Sequence, residues 1–196
     1  MGTEIIVTDP RIECKFQTTN SGLNLFLNYF QSFGFVQSFD KRKICSLYYD
    51  DFKYSSVADN LSGITPRSKY RLRWYSDFNN YNYGLRFEQK IKKRIIGIKK
   101  IINLDNIYND MRNDFSISNI SRITNITNFS LLPLEFKPQL FCIYERSYYE
   151  NNNGVRLTLD KQITFKKANE RDILYGTHLN LITSNYIIIE IKFAEN

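Results

Sequence analysis

Lys69-Tyr70-Arg71-Leu72-Arg73-Trp74-Tyr75 alternates basic residues with aromatic and aliphatic ones. Side chains along a β-strand point to opposite faces with period two, so Lys69, Arg71 and Arg73 share one face while Tyr70, Leu72 and Trp74 share the other. The spacing recurs: Glu13 and Lys15 flank Cys14, Glu88 and Lys90 flank Gln89, and Glu190 and Lys192 flank Ile191. A half-exposed sheet also alternates polar with apolar residues. Several strands that each contribute cations, with isolated glutamates among them, point further, to a lined interior that holds a polyanion together with a metal.

Outward from this stretch, Ser68 to Tyr75 and Tyr83 to Lys92 read as an antiparallel hairpin across the loop-like Asp77 to Asn82. Ile12 to Gln17 and Lys43 to Asp50 are strands upstream. Between them Leu23, Phe26, Leu27 and Phe30 recur at helical spacing behind a Thr/Asn/Ser cluster suited to capping. Tyr54 to Leu61 reads as irregular or helical, and Gly63 to Pro66 as a break. Arg94 to Ile102 is a strand across Gly97, and the Asn-rich, weakly periodic Leu104 to Phe129 suits short helices. Gln139 to Glu150, the tight turn at Asn153-Gly154 and Val155 to Asp160 form a second hairpin. Tyr186 to Phe193 is the last strand. The expected class is α+β, mainly antiparallel β with a few flanking helices. A closed tunnel barrel would give the charged faces a shared interior; an open sheet or sandwich with a solvated charged face reads equally well from these residues alone.

The chain has 196 residues and a formal net charge of +7, enough for one domain with a sizeable core and favouring an acidic ligand such as phosphate, nucleic acid or an anionic surface. Cys14, Cys45 and Cys142 are odd in number and far apart, which indicates neither a disulfide framework nor a cysteine-based zinc site. With no signal-like start and no apolar run of bilayer length, the expectation is a soluble, cytoplasmic chain.

No Gly-rich phosphate loop ending in Gly-Lys-Ser/Thr and no Gly-x-Ser-x-Gly elbow occurs. His178 is the sole histidine; it reads as a surface or packing residue, with a general base as the alternative, and histidine-centred zinc chemistry is excluded. Fixed positive charges with few carboxylates remain. Arginine's fork and lysine's compact ammonium suit successive phosphates. Mg²⁺ and Mn²⁺ are commonly held by one or two carboxylates plus substrate phosphates, a role open to Glu190. Nucleic acid is not an expected partner, because the basic residues alternate with apolar ones inside strands instead of forming an exposed stripe.

Seven segments in order carry a resemblance: Arg11 to Lys15, Ser46 to Asp50, Lys69 to Tyr75, Phe87 to Lys90, Tyr144 to Arg146, Val155 to Asp160 and Glu190 to Lys192. Together they resemble the VTC domain, the polyphosphate polymerase domain of the vacuolar transporter chaperone complex and its bacterial relatives, within the CYTH-like triphosphate tunnel metalloenzymes. The resemblance implies an antiparallel tunnel that binds ATP or another nucleoside triphosphate and growing polyphosphate, with Mn²⁺ or Mg²⁺, and it leaves room for a membrane-protein partner supplied by another chain. It implies Lys15, Arg71, Arg73, Lys90, Arg146 and Arg156 as phosphate ligands and Glu190 as metal ligand, with Lys192 facing the same interior. Arg71, Arg73, Lys90 and Glu190 form its catalytic set. Lys69, Glu13, Glu88, Arg94 and Lys99 are second-rank, Lys69 for phosphate and Glu13 and Glu88 for metal; Arg94 and Lys99 read equally well as surface residues. Tyr48, Tyr144 and Trp74 would seat a base or support the wall; the alternative, an ordinary strand aromatic packed in a core, suits Trp74 better.

The implied reaction moves the γ-phosphoryl group of ATP to the end of a polyphosphate chain. Alternatives are a tunnel phosphohydrolase acting on tripolyphosphate, nucleoside triphosphates or an RNA 5′ triphosphate, and a non-catalytic polyphosphate sensor. Hydrolytic relatives open with Glu-x-Glu-x-Lys, where this chain has Arg11-Ile12-Glu13-Cys14-Lys15. VTC domains continue past the Glu-x-Lys strand into a C-terminal helix and a Ser-Lys-Tyr/Phe segment. The expectation here is a single domain over 1–196, shortened or minimal, without them.

Overall fold

The computed structural model describes residues 5–76, 82–104, 131–168 and 182–194. His178 and nearly all of the stretch expected to hold short helices, Leu104 to Phe129, lie outside them. The strands are β1 (Ile5–Val7), β2 (Arg11–Thr18), β3 (Val36–Asp50), β4 (Arg67–Ser76), β5 (Asn82–Lys93), β6 (Ile96–Asn103), β7 (Lys137–Glu150), β8 (Arg156–Lys167), β9 (Ile182–Thr183) and β10 (Ile187–Phe193); the helices are α1 (Asn20–Ser32) and α2 (Ser55–Leu61).

Hydrogen-bonded neighbours run β6-β2-β10-β8-β7-β3-β4-β5, and β5 pairs again with β6, so eight strands close into a ring. Every pairing among them is antiparallel. β1 adds to β6, and β9 to β8. The ring is not a regular barrel. Its β2–β6 seam is short, Arg11 opposite Gly97 and Ile12 opposite Ile96, and register shifts interrupt β3–β7, β4–β5 and β7–β8.

Most apolar side chains of these strands turn outward; a smaller cluster of Ile44, Cys142, Tyr144 and Ile163 sits on the inner face of β3, β7 and β8, beside Ser46. Leu47, Tyr49, Leu72, Trp74, Leu85, Phe87, Ile102 and Phe141 form a core outside the ring, covered by Leu131, Leu132 and Phe136. Leu157, Leu159, Ile187 and Ile189 form a second outer core under α1, where Leu23, Phe26, Leu27 and Phe30 dock at the spacing expected of an amphipathic helix. A buried Leu, Ile or Phe contributes about 1.5–3 kcal/mol, so the fold is stabilised mainly from outside its strands. This frees the inner faces for charge.

The hairpin expected around Asn153-Gly154 is present. Gly154 has φ +72°, a left-handed conformation that glycine adopts without steric cost, and the Asn151 side-chain oxygen accepts from the Asn153 and Val155 amides. Two strands run longer than expected. β3 begins at Val36 instead of Lys43, and β8 continues past Asp160 to Lys167 through Gln162 at φ +52°. Arg94 sits at φ +55° in the β5–β6 turn, outside the strand expected to begin there. Among the described residues, no helix is long and apolar enough to cross a membrane.

Candidate functional site

Glu88 on β5 is fully buried. Arg71 Nε donates to its Oε2 at 2.7 Å and a second Arg71 nitrogen bonds the same oxygen; Arg86 Nε donates to Oε1 at 2.8 Å, with Lys99 Nζ 3.8 Å from it. The register dictates the meeting, since Arg71 lies directly opposite Glu88 and opposed residues share a face. Burial alone would raise the Glu88 carboxyl. The positive charges of Arg71, Arg73, Lys99 and Arg86 override it and hold the group well below the usual carboxylate range.

One rung along, Arg73 is 5 % exposed and its described partners are neutral. Nε donates to Ser46 Oγ at 3.3 Å and Nη2 to Tyr144 Oη at 2.8 Å. Tyr48 similarly accepts from Arg71 Nη1 at 3.1 Å. Buried cations ordinarily pair with carboxylates. A buried guanidinium cradled by hydroxyls keeps its charge available to an incoming anion.

The third group spans β2, β5 and β10. Lys15 Nζ is 3.3 Å from Glu190 Oε1, Lys192 Nζ is 3.0 Å from Glu190 Oε2 and 3.8 Å from Glu13 Oε1, and Lys90 bonds Glu13. Arg146 Nη2 stands 3.7 Å from Glu190 Oε2, while Asp160 holds the Arg146 guanidinium in two parallel bonds of 2.5 and 2.6 Å. Burial would raise Glu190, but Lys192, Lys15, Arg146 and Lys90 keep it far below the ordinary range. Burial pushes Lys90 and Lys99 down to about 8.

A model of the VTC domain matches residues 10–196. The chain belongs to the VTC domain family. No match occurs among curated protein sequences. Solved structures similar to this VTC domain include a candidate adenylate cyclase from Bacillus halodurans, with TM-score 0.54 and 10 % identity over 95 % of this chain and 82 % of that one. A protein from Pyrococcus horikoshii gives TM-score 0.51 and 16 % identity over 95 % and 78 %. A candidate adenylyl cyclase from Hippeastrum, described as having a dominant triphosphatase activity, gives 0.50 and 14 % over 96 % and 80 %. At these identities the likeness is one of fold, and the ring is that of the triphosphate tunnel.

Within the VTC domain, the structure brings Lys15, Arg71, Arg73, Lys90, Arg146, Lys192, Glu13, Glu88 and Glu190 into one charged interior. Lys69 shares the inner face, opposite Lys90; burial and the nearby Lys15 and Arg67 lower its pKa, against a raising contribution from Tyr48. Lys99 is interior through Glu88, whereas Arg94 is exposed in its turn. Arg156 stands at the rim, half exposed, 3.4 Å from Glu150 Oε1. Trp74 packs in the outer core. Arg86 and Asp160 were not anticipated. Both continue a period-two pattern already visible, Arg86 ahead of Glu88 and Lys90, and Asp160 beyond Arg156 and Thr158. Arg86 also donates to Tyr75 Oη at 2.6 Å.

Among the described residues, no three His, Cys, Asp or Glu side chains converge as a metal cage. Glu190 and Glu13, on adjacent strands, are oxygen donors of the kind a hard cation shares with substrate phosphates; their oxygens are engaged by Lys15, Lys192 and Lys90, whose ammonium groups a cation would displace.

Proposed function

We propose that this VTC domain is a polyphosphate polymerase, transferring the γ-phosphoryl group of ATP to the terminal phosphate of a chain held in the ring interior. The observation that carries the reading is Arg73, buried with only Ser46 and Tyr144 as described partners, in an interior where lysines and arginines outnumber Glu13, Glu88, Asp160 and Glu190. Such an interior is short of negative charge, and a string of phosphates supplies it.

Phosphoryl transfer depends on alignment and charge neutralisation, because its transition state spreads charge over the phosphoryl oxygens. Arg71, Arg73 and Lys90 grip the transferring group. Lys15, Lys69, Arg146 and Lys192 hold neighbouring phosphates, and Arg156 receives the chain at the rim. Glu190, assisted by Glu13, would hold Mn²⁺ or Mg²⁺, which supplies Lewis-acid neutralisation of the phosphate oxygens. Glu88, with both oxygens occupied, acts as the fixed counter-ion that orients Arg71 and Arg86. The acceptor phosphate is already anionic, so no strong protein base is needed.

A tunnel phosphohydrolase is the second reading, favoured by the fold shared with the Hippeastrum protein described as a triphosphatase. Arg11 in place of a first carboxylate argues for the polymerase, since water activation loses a negative partner. Incubation with ATP and Mn²⁺, with and without a short polyphosphate primer, separates them. A lengthening ladder with release of ADP is the expected outcome; free phosphate without a ladder would establish the hydrolase.

A further inference from the structure

β3 slips against β7 between Gln37 and Phe39 and again between Phe39 and Arg42. Bulges of this kind bend a strand and re-aim its side chains. Here they gather three rings around Arg42, whose guanidinium carbon lies 5.5 Å from the Phe39 centroid, 5.3 Å from Tyr75 and 5.7 Å from Tyr148. Arg42 is opposite Arg146 in the ladder, hence on the inner face. It lies four residues before Ser46, the partner of Arg73, or about 13 Å along the strand at a rise of about 3.3 Å per residue. That places it at the mouth of the ring, beyond a triphosphate gripped by Arg71 and Arg73. Gln37, Ser38, Phe39, Asp40, Lys41 and Arg42 line an open cavity there.

Arg146 is neutralised by Asp160. Among the described residues, Arg42 has no carboxylate within ion-pair distance, Asp40 included, and donates no side-chain hydrogen bond. Stacking engages the flat face of a guanidinium and leaves its edge of N–H donors unspent. The rings are already engaged by Arg42, and Tyr75 carries Arg86 as well, 4.8 Å from its centroid. This arrangement suits an oxyanion better than a further stacked base.

The geometry points to Arg42, seated by Phe39, Tyr75 and Tyr148, as an anion subsite at the ring mouth that takes a phosphate of a polyphosphate chain beyond the three of a nucleoside triphosphate. The inference rests on the reading that the interior binds phosphate chains. It makes affinity depend on chain length through one residue outside the catalytic set.

Calorimetric binding of inorganic tripolyphosphate and of long-chain inorganic polyphosphate to the wild type, R42Q and R42K tests it. R42Q is expected to weaken long-chain binding about tenfold, the loss of one charge-assisted hydrogen bond, while tripolyphosphate binding stays unchanged and reports an intact fold. R42K, which keeps the charge without the planar fork, should lie between. Equal losses for both anions, or loss for neither, would overturn the subsite, as would an R42Q that loses ATP affinity but keeps the long chain. Because binding is the readout, a wild type that binds both anions yet makes no ladder sinks the polymerase and leaves the subsite standing.

Discussion

Glu88→Gln isolates the electrostatic logic of the interior, because it removes one charge while keeping nearly the same shape. The Glu88 side chain is fully buried, and its partners Arg71 and Arg86 are only 13 % and 20 % exposed, so solvent screens the cluster weakly. Neutralising Glu88 leaves Arg71, Arg86 and Lys99 without their shared counter-ion. Removing one partner of a buried pair costs about 3–5 kcal/mol. The lower end applies, since Arg71 keeps Tyr48 and Arg86 keeps Tyr75. At about 2–4 °C per kcal/mol for a chain of this size, a loss of about 3 kcal/mol lowers Tm by roughly 6–12 °C. A bound polyanion replaces the missing charge, so tripolyphosphate should stabilise the variant more than the wild type, whose own gain at about 100 times Kd is about 2.7 kcal/mol. Urea unfolding of both proteins, with and without tripolyphosphate, measures each quantity. A loss below about 1 kcal/mol, the range of exposed pairs, or equal ligand stabilisation in the two proteins, refutes the counter-ion role.

Arg73→Gln should lower chain synthesis by about 10²–10³, the usual effect of removing one preorganised donor to developing charge, with the circular dichroism spectrum unchanged; synthesis within a factor of a few of wild type would dismiss Arg73. Glu190→Gln should abolish metal-dependent synthesis yet retain or tighten metal-free polyphosphate binding, because it deletes a negative charge from a basic interior; parallel loss of both would mean a collapsed site. Lys90 and Lys99, at about 8 when folded, release their protons well before an unfolded lysine at about 10.4. Above pH 8 the unfolded chain therefore binds more protons, so unliganded stability should rise from pH 8 toward 10 while tripolyphosphate affinity falls. Titration calorimetry across that window checks this, and Lys90→Arg with Lys99→Arg should flatten the affinity profile.

The strand alternation was legible because it is a local property: Lys69, Arg71 and Arg73 share a face whatever the tertiary context. That this face turns inward was less so. The same spacing suits a solvated sheet, and only the partners decide it, Leu72 and Trp74 needing Leu131, Leu132 and Phe136 to cover them from outside. β3 was read short because Asp40-Lys41-Arg42-Lys43 interrupts the apolar pattern that marks a strand, while its pairing with β7 extends back to Val36 regardless. Asp160 escaped for a related reason. A carboxylate acquires meaning from the cation it faces, and the β7–β8 register that sets Asp160 opposite Arg146 depends on the bulge between Ile143 and Glu145. Arg86 could have been found by carrying the Glu88–Lys90 alternation one step back.

The two faces of each strand thus divide the work, and the division explains how so charged an interior is tolerated. In a small barrel filled with side chains the inner face is the core, and each buried ion would displace apolar contacts. Here Leu72 and Arg73 are neighbours in sequence on opposite faces, one packed in an outer core and the other held by Ser46 and Tyr144. The outer cores under α1 and under Leu131, Leu132 and Phe136 supply apolar stabilisation whether or not the interior is neutral. The interior excess of cations then becomes a standing free-energy deficit that an anion relieves. On the proposed reading, binding energy for a phosphate chain is stored in the unliganded ring as repulsion among Lys15, Lys69, Lys90 and Lys99: Lys69 and Lys99 each stand opposite Lys90, and Lys15 acts on both Lys69 and Lys90. A longer chain relieves more of it than a triphosphate, so polyphosphate should outcompete ATP for the same ring in direct displacement.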